Sequence, residues 1–362
     1  TQGVSSAASD VYKRQGLLIV PENRTIAAGQ ASPIDLTLAG GTRVAAGAVF
    51  DRPVATRPNL SLDTGIFQTG FSSYDINARL GVVVPDNARI DVRMPVLRFG
   101  DAARAVATGS DPALALERWL PPTWTEDPLK GVLTQRGGAG IALQSTDDAV
   151  AAAAAVASGP VAIGVGSAIT VDPGQSIALR GRDVRVDGLL SAPGGTIAIG
   201  GGQADLAKTG LFWIGDTAVL DVAARAVTAV DLSGRTYGRV ADGGTIRIGG
   251  SLDWEAKGQA EAANAFIVVR PGALLDASGS HAVLDHGTAF GARGTVASDG
   301  GSIVLTSTLG LYLDGTLRAA SGGAGAAGGT LALALESTNY PTVSTRGDVL
   351  RHRELVLAQT QG

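Results

Sequence analysis

Cysteine is absent from the 362 residues, so the chain can build neither a disulfide framework nor a thiolate metal site. Aromatic residues make up 4% and charged residues 17% of the sequence, against roughly 25% charged in ordinary globular domains. The charged set is also lopsided, with 7 Glu against 26 Asp and 4 Lys against 25 Arg. Glu and Lys favour helices, whereas Asp favours turns, so their scarcity points away from a helical protein. No run approaches the ~18–20 apolar residues of a membrane-crossing helix; Gly16-Leu17-Leu18-Ile19-Val20 is far too short. The net charge of −4 and pI near 5.4 come with no basic block, which speaks against a nucleic-acid partner. No secretory signal is visible and the first residue is Thr, so the chain reads as part of a longer one. Residues 1–15 match nothing that follows and are set aside as a candidate non-native leader.

Glycine, at 51 residues, is abundant, and it is patterned. Gly-Gly followed by Thr or Ser and an aliphatic residue occurs at 194, 243, 300 and 328. The intervals are 49, 57 and 28 residues. They suggest coils of a little over twenty residues, with 49 spanning two of them. The tetrads lack the GxxxxGK[ST] phosphate-loop pattern and the Asp of glycine-rich calcium repeats. A second unit, strand–turn–strand, recurs at Val82-Val83-Val84 through Ile90, at residues 169–181 and at residues 266–279. Ile34, Leu36 and Leu38 alternate with polar residues as in a half-buried strand. Residues 52–59, with two prolines, read as a loop.

Strands this short cannot bury a core alone, but stacked coils can, each strand pairing with the coil on either side. The expected fold is therefore all-β, a parallel β-helix (β-solenoid) with loop excursions. A membrane β-barrel would show ~9–11-residue strands and aromatic girdles, and a sandwich would not repeat the tetrads. Residues 16–150 form the first β-helix portion, with a Pro/Trp-rich insert at 101–136. Residues 151–362 continue it as repetitive coils. Within the insert, Asp111 and Pro112 are set to cap a short helix through ALALERWL. Residues 151–155 are all Ala, a helical turn or a loop.

The segments GFSSYDINARLGVVVPDNARIDVRMPVLR and LERWLPPTWTEDPLKGVLTQRGGAGIAL, with the later LDASG and GGSIVL, resemble the body of filamentous-haemagglutinin-like large exoproteins of Gram-negative bacteria. That resemblance covers most of residues 16–340. It implies a right-handed parallel β-helix exported by two-partner secretion through an outer-membrane transporter. It places the protein outside the cell or on the outer-membrane surface, as an internal stalk segment of an adhesin facing a host-cell or neighbouring-cell receptor or glycan. A polysaccharide-degrading β-helical enzyme and the delivery stalk of a contact-dependent toxin are the alternatives.

Chemistry-bearing residues are few. Asp147-Asp148 is the one adjacent Asp-Asp pair, and strand neighbours point to opposite faces. Asp172, Asp187, Asp242 and Asp314 fall in turns. A glycosidase would want two carboxylates on one groove, and no in-register repetition of Asp, Arg or His is evident. His281 and His286 flank Asp285, far from His352, short of the three or four ligands a metal needs. No catalytic, cofactor or metal residue is expected. Two surface features stand as binding candidates. Trp119 and Trp124 could offer a sugar platform, although anchoring the insert explains them better. Arg346-Gly347-Asp348 could meet an integrin-type receptor, although about a quarter of shuffled sequences of this composition would contain that tripeptide.

Overall fold

The computed structural model describes residues 16–19, 24–31, 36–38, 43–45, 47–58, 60–78, 81–145, 159–200, 209–250, 263–285 and 292–335. The alternation seen in the sequence resolves into three parallel sheets that run the length of the molecule. The first face stacks Ser73–Asn77, Gly140–Ser145, Ser176–Gly181, Thr196–Gly200, Thr245–Gly249, Ser302–Ser307 and Thr330–Leu335. The second stacks Val82–Val84, Val161–Ile163, Asp183–Val186, Gly210–Ile214, Ala265–Val269 and Gly310–Leu313. The third stacks Arg89–Asp91, Ala168–Thr170, Leu189–Ser191, Val219–Asp221, Leu274–Asp276 and Thr316–Arg318. The chain visits the faces in the order first, second, third, and each circuit is one coil. This is a three-faced parallel β-helix.

The register aligns like with like. On the first face Ile141, Ile177, Ile197, Ile246 and Ile303 form one inward column, all of it buried. Val82, Val161, Val184, Phe212 and Ile267 form a second, on the second face. Ile90, Ile169, Leu190, Leu220 and Leu275 form a third. Period-two alternation puts these residues inside, and stacking at the strand spacing puts each against its own kind. The columns meet in a single apolar core.

Aligned by register, the first-face strands begin at 73, 140, 176, 196, 245, 302 and 330. The interval of 49 is therefore one coil enlarged by insertions, not two coils. The bare coil is the 20-residue step from Ser176 to Thr196.

The tetrads open four consecutive first-face strands, with Thr196, Thr245, Ser302 and Thr330 in one column. Their glycines serve close approach more than turn geometry. Only Gly194 among them has positive φ, +61°. The second glycine of each tetrad lies against a backbone carbonyl of the preceding coil: Gly195 against Gln175, Gly244 against Gly195, Gly301 against Gly244 and Gly329 against Gly301. Those carbonyls accept the N–H of the next Thr or Ser at 2.9–3.1 Å. A Cβ at the glycine would collide with the acceptor.

Before Ser73 the pairing is antiparallel. Gly16–Ile19 sits between Leu60–Asp63 and Val82–Val84. Arg24–Ile26, Val54–Pro58, Leu36–Leu38 and Arg43–Val44 form a separate four-stranded sheet. The two-proline stretch read as a loop is thus largely a strand. Pro58 lies beyond the residues paired to Arg24–Ile26, where no ladder donor is needed on that side. The 3-10 turn Thr64–Gln68 seats Phe67, fully buried, at this end of the core, edge-on to Tyr74 at 5.4 Å.

The expected helix after Asp111 is a single 3-10 turn, Pro112–Ala115. Asp111 does cap it, accepting the Ala113 N–H at 2.9 Å. The chain then becomes the strand Leu116–Trp119, because that segment pairs antiparallel with Val96–Phe99. The insert consequently leaves the third face after Asp91 and returns at Gly140, wider than 101–136.

Candidate functional site

The first-to-second and second-to-third corners carry no described hairpins. The large described excursions all leave at the third-to-first corner. They include the hairpins Val96–Phe99/Leu116–Trp119, Trp124–Asp127/Val132–Gln135, Val227–Val230/Thr236–Arg239 and His281–Asp285/Arg293–Ala297. The last three belong to different coils yet touch one another, making a lateral ledge along that corner. Leu232 N–H reaches Pro128 carbonyl at 3.4 Å, and Thr236 N–H donates to Asp285 Oδ2.

The ledge is tied to the β-helix through a buried ion pair. Arg136 Nη2 donates to Asp172 Oδ1 at 2.6 Å, and the two side chains are 7% and 3% exposed. Arg136 also donates to Pro121 carbonyl, and Gln135 Nε2 donates to Pro173 carbonyl at 2.6 Å. Arg93 adds a second cation 3.5 Å from the same Asp172 oxygen. Asp172 does occupy a corner, as the sequence suggests, but it is also the anchor of the insert.

Trp119 and Trp124 are not brought together on one platform. Trp119 lies on the outer hairpin under Arg98, whose guanidinium carbon is 4.7 Å from the ring centroid. Trp124 faces the corner and packs with Arg239 at 5.7 Å. Trp124, Gln135, Arg225 and Arg239 rim a cleft of about 90 Å³, floored by Pro173-Gly174 and Pro193-Gly194 of two successive corners. Gly174 and Gly194 both have positive φ, so no side chain fills that floor. Arg225 is held by Asp221 at 2.5 Å. Among the described residues Arg239 has no carboxylate partner.

The register also reveals a polar column invisible as a sequence cluster. Asp91, Thr170, Ser191, Asp221, Asp276 and Arg318 succeed one another at the end of the third-face strands. The available signal was the recurring aliphatic–Asp–small unit: Ile90-Asp91-Val92, Leu220-Asp221-Val222 and Leu275-Asp276-Ala277. Asp221 and Asp276 accept from the backbone N–H two residues on, Ala223 and Ser278. They thereby shape the exit of each excursion. Burial alone would raise the Asp276 carboxyl. The hydrogen bonds from Arg318 and Ser278 and the Arg318 charge outweigh it and hold the group below the usual carboxylate range. An ionised, arginine-paired carboxylate is a poor general acid at neutral pH.

Asp285 behaves similarly on the ledge. The Thr236 N–H, acting against burial and aided by Arg293, lowers its carboxyl. The Arg235 backbone N–H, with burial again opposing, lowers Asp231. A carboxyl lowered in the folded state stabilises above its unfolded value, about 3.9, and loses that contribution as pH falls through the folded value. On acidification below about pH 3.9, the Thr236 amide is expected to lose hydrogen-exchange protection before the Ile246 amide in the core. Equal protection of both amides in acid would contradict this.

His281 lies exposed on the last ledge hairpin. Asp147, Asp148, residues 151–155, His286, His352, Arg346-Gly347-Asp348 and residues 1–15 lie outside the described residues. Among the described residues no group of three His, Asp or Glu could hold a metal, and no helix is long and apolar enough to cross a membrane.

Fold and site together define the class: a parallel β-helix whose coils carry a ledge of antiparallel hairpins on one corner. Neither a family model, nor a curated protein, nor a solved structure matches the chain.

Proposed function

We propose that the chain is a structural stalk segment of a secreted or surface-displayed adhesin-like exoprotein, which attaches by extended surface without turnover. The observation that carries the reading is the in-register stack of coils with the described hairpins displayed along one corner. A rod built this way keeps its core independent of its decorations, since each coil depends chiefly on its neighbours. The paired state of the third-face aspartates supports binding over hydrolysis. The resemblance to filamentous-haemagglutinin-like proteins agrees with this reading and supplies the outer-membrane transporter and cell-surface partners.

The test is adhesion of beads coated with the full chain to epithelial cells and to Gram-negative cells. Saturable attachment that heat-denatured protein lacks is expected. Attachment no better than albumin-coated beads would end the reading. Release of new reducing ends from acidic or neutral polysaccharides would favour the enzyme instead.

A further inference from the structure

We propose that the cleft under Trp124 binds an anionic saccharide, with a carboxylate or sulfate substituent held by Arg239 and Arg225. The inference deepens the attachment reading above and rests on it for its biological setting, but its chemistry stands on the cleft itself.

Donors dominate the rim. Arg239 presents an exposed guanidinium that Trp124 positions at 5.7 Å and that no carboxylate neutralises among the described residues. Arg225 is oriented by Asp221 and by the carbonyls of Ala223 and Ala224, so its position is fixed before any ligand arrives. One carboxylate against two guanidiniums leaves the cleft with a local positive charge on a chain of net charge −4. A forked guanidinium suits the planar oxygens of a carboxylate and the oxygens of a sulfate. Gln135 donates one amide N–H to Pro173 carbonyl, and its carbonyl oxygen is left as an acceptor for a sugar hydroxyl. The indole of Trp124 supplies the apolar surface that a pyranose C–H face needs.

Size narrows the ligand. About 90 Å³ admits one charged substituent and the edge of a ring, leaving the rest of the sugar over the mouth. The floor stays open because Gly174 and Gly194 carry no side chain. Two different coils and two different hairpins contribute, so only a correctly stacked helix forms the cleft. A neutral sugar would leave Arg239 desolvated without a partner, and that selects against it.

The test is calorimetric titration of the full chain with polygalacturonate oligosaccharide, dextran sulfate oligomer and neutral dextran. Binding of one or both anionic probes, and not of dextran, is expected. The uronate and sulfate arms identify which anion is preferred. Arg239→Gln should weaken binding roughly tenfold to a hundredfold, the range for losing a hydrogen bond to a charged group. Arg104→Gln, at an exposed arginine on the 3-10 turn Asp101–Ala105 that does not line the cleft, should change it less than twofold by comparison. Arg239→Lys should restore part of the loss. No binding of either anion, or equal effects of the Arg239 and Arg104 variants, would overturn the assignment. Cell attachment that survives Arg239→Gln at full strength would remove the cleft from adhesion and leave the stalk reading standing. Saccharide binding without cell attachment would do the reverse.

Discussion

Asp172→Ala is expected to destabilise the chain by about 3–5 kcal/mol, the cost of removing one partner from a buried ion pair. The carboxylate is 3% exposed and meets Arg136, itself 7% exposed, at 2.6 Å. Removing it strands a guanidinium whose Nε already lacks a partner and leaves Pro121 carbonyl as its remaining acceptor. The loss should show as a lower urea midpoint and as early exchange in Trp124–Asp127 and Val132–Gln135, the hairpin that Arg136 docks. Glu117→Ala provides the contrast. Its pair with Arg98 is half-exposed on both sides, and exposed pairs contribute about 0–1 kcal/mol. The double replacement Asp172→Leu with Arg136→Met should recover most of the loss, because well-packed apolar residues often match a buried pair. The unpartnered Asp172 Oδ2 and Arg136 Nε show that this pair is incompletely satisfied. Equal, sub-kilocalorie effects of Asp172→Ala and Glu117→Ala would refute the anchoring role.

Gly244→Ala is expected to cost about 3 kcal/mol, the upper end of the overpacking range. Its added Cβ would fall on the Gly195 carbonyl oxygen, which accepts the Thr245 N–H at 2.9 Å. The obstacle is backbone, so no rotamer change can relieve it. Relief means separating two coils and losing that hydrogen bond, and the disturbance passes to Gly301, which stacks on Gly244 in turn. Gly328→Ala, in the first position of the last tetrad, has open space at its Cβ and no positive φ. It should be neutral, or stabilising by about 0.4–1 kcal/mol through the unfolded chain. Thermal unfolding of the two variants separates the explanations. If both alanines behave alike, close approach is not why the tetrads keep their second glycine.

Much of the architecture was legible because it is periodic. Ile177 and Leu179, or Ile246 and Ile248, announce their inward faces by spacing alone, and the Thr and Ser after each Gly-Gly announce the register. Where the reading failed, partners distant in sequence decided the outcome. The segment after Pro112 has adequate helix propensity, but Val96–Phe99 offers it a ladder, and it becomes a strand. The stretch ending at Pro58 looks like a loop until its strand neighbours are counted. The 49-residue interval looks like two coils because an insertion and a coil have comparable length.

The candidate site divides the same way. Trp124 and Trp119 stood out by rarity, but nothing in their spacing separates a residue beside Arg239 at a corner from one beside Arg98 on an outer hairpin. Asp221 and Asp276 are 55 positions apart and become neighbours only through the pairing of Val219–Asp221 with Leu274–Asp276.

The sequence by itself determined that this protein is all-β, that it repeats, and that its Gly-Gly-Thr/Ser units occupy one equivalent place in each of the four repeats that carry them. Local alternation and steric demand suffice for that. Only the tertiary structure decided that each interval is a single coil, that hairpins from three coils gather on one corner, and that Asp172 is buried under an arginine from the insert. Those outcomes depend on stacking, which brings together residues whose separation along the chain is set by insertions of variable length.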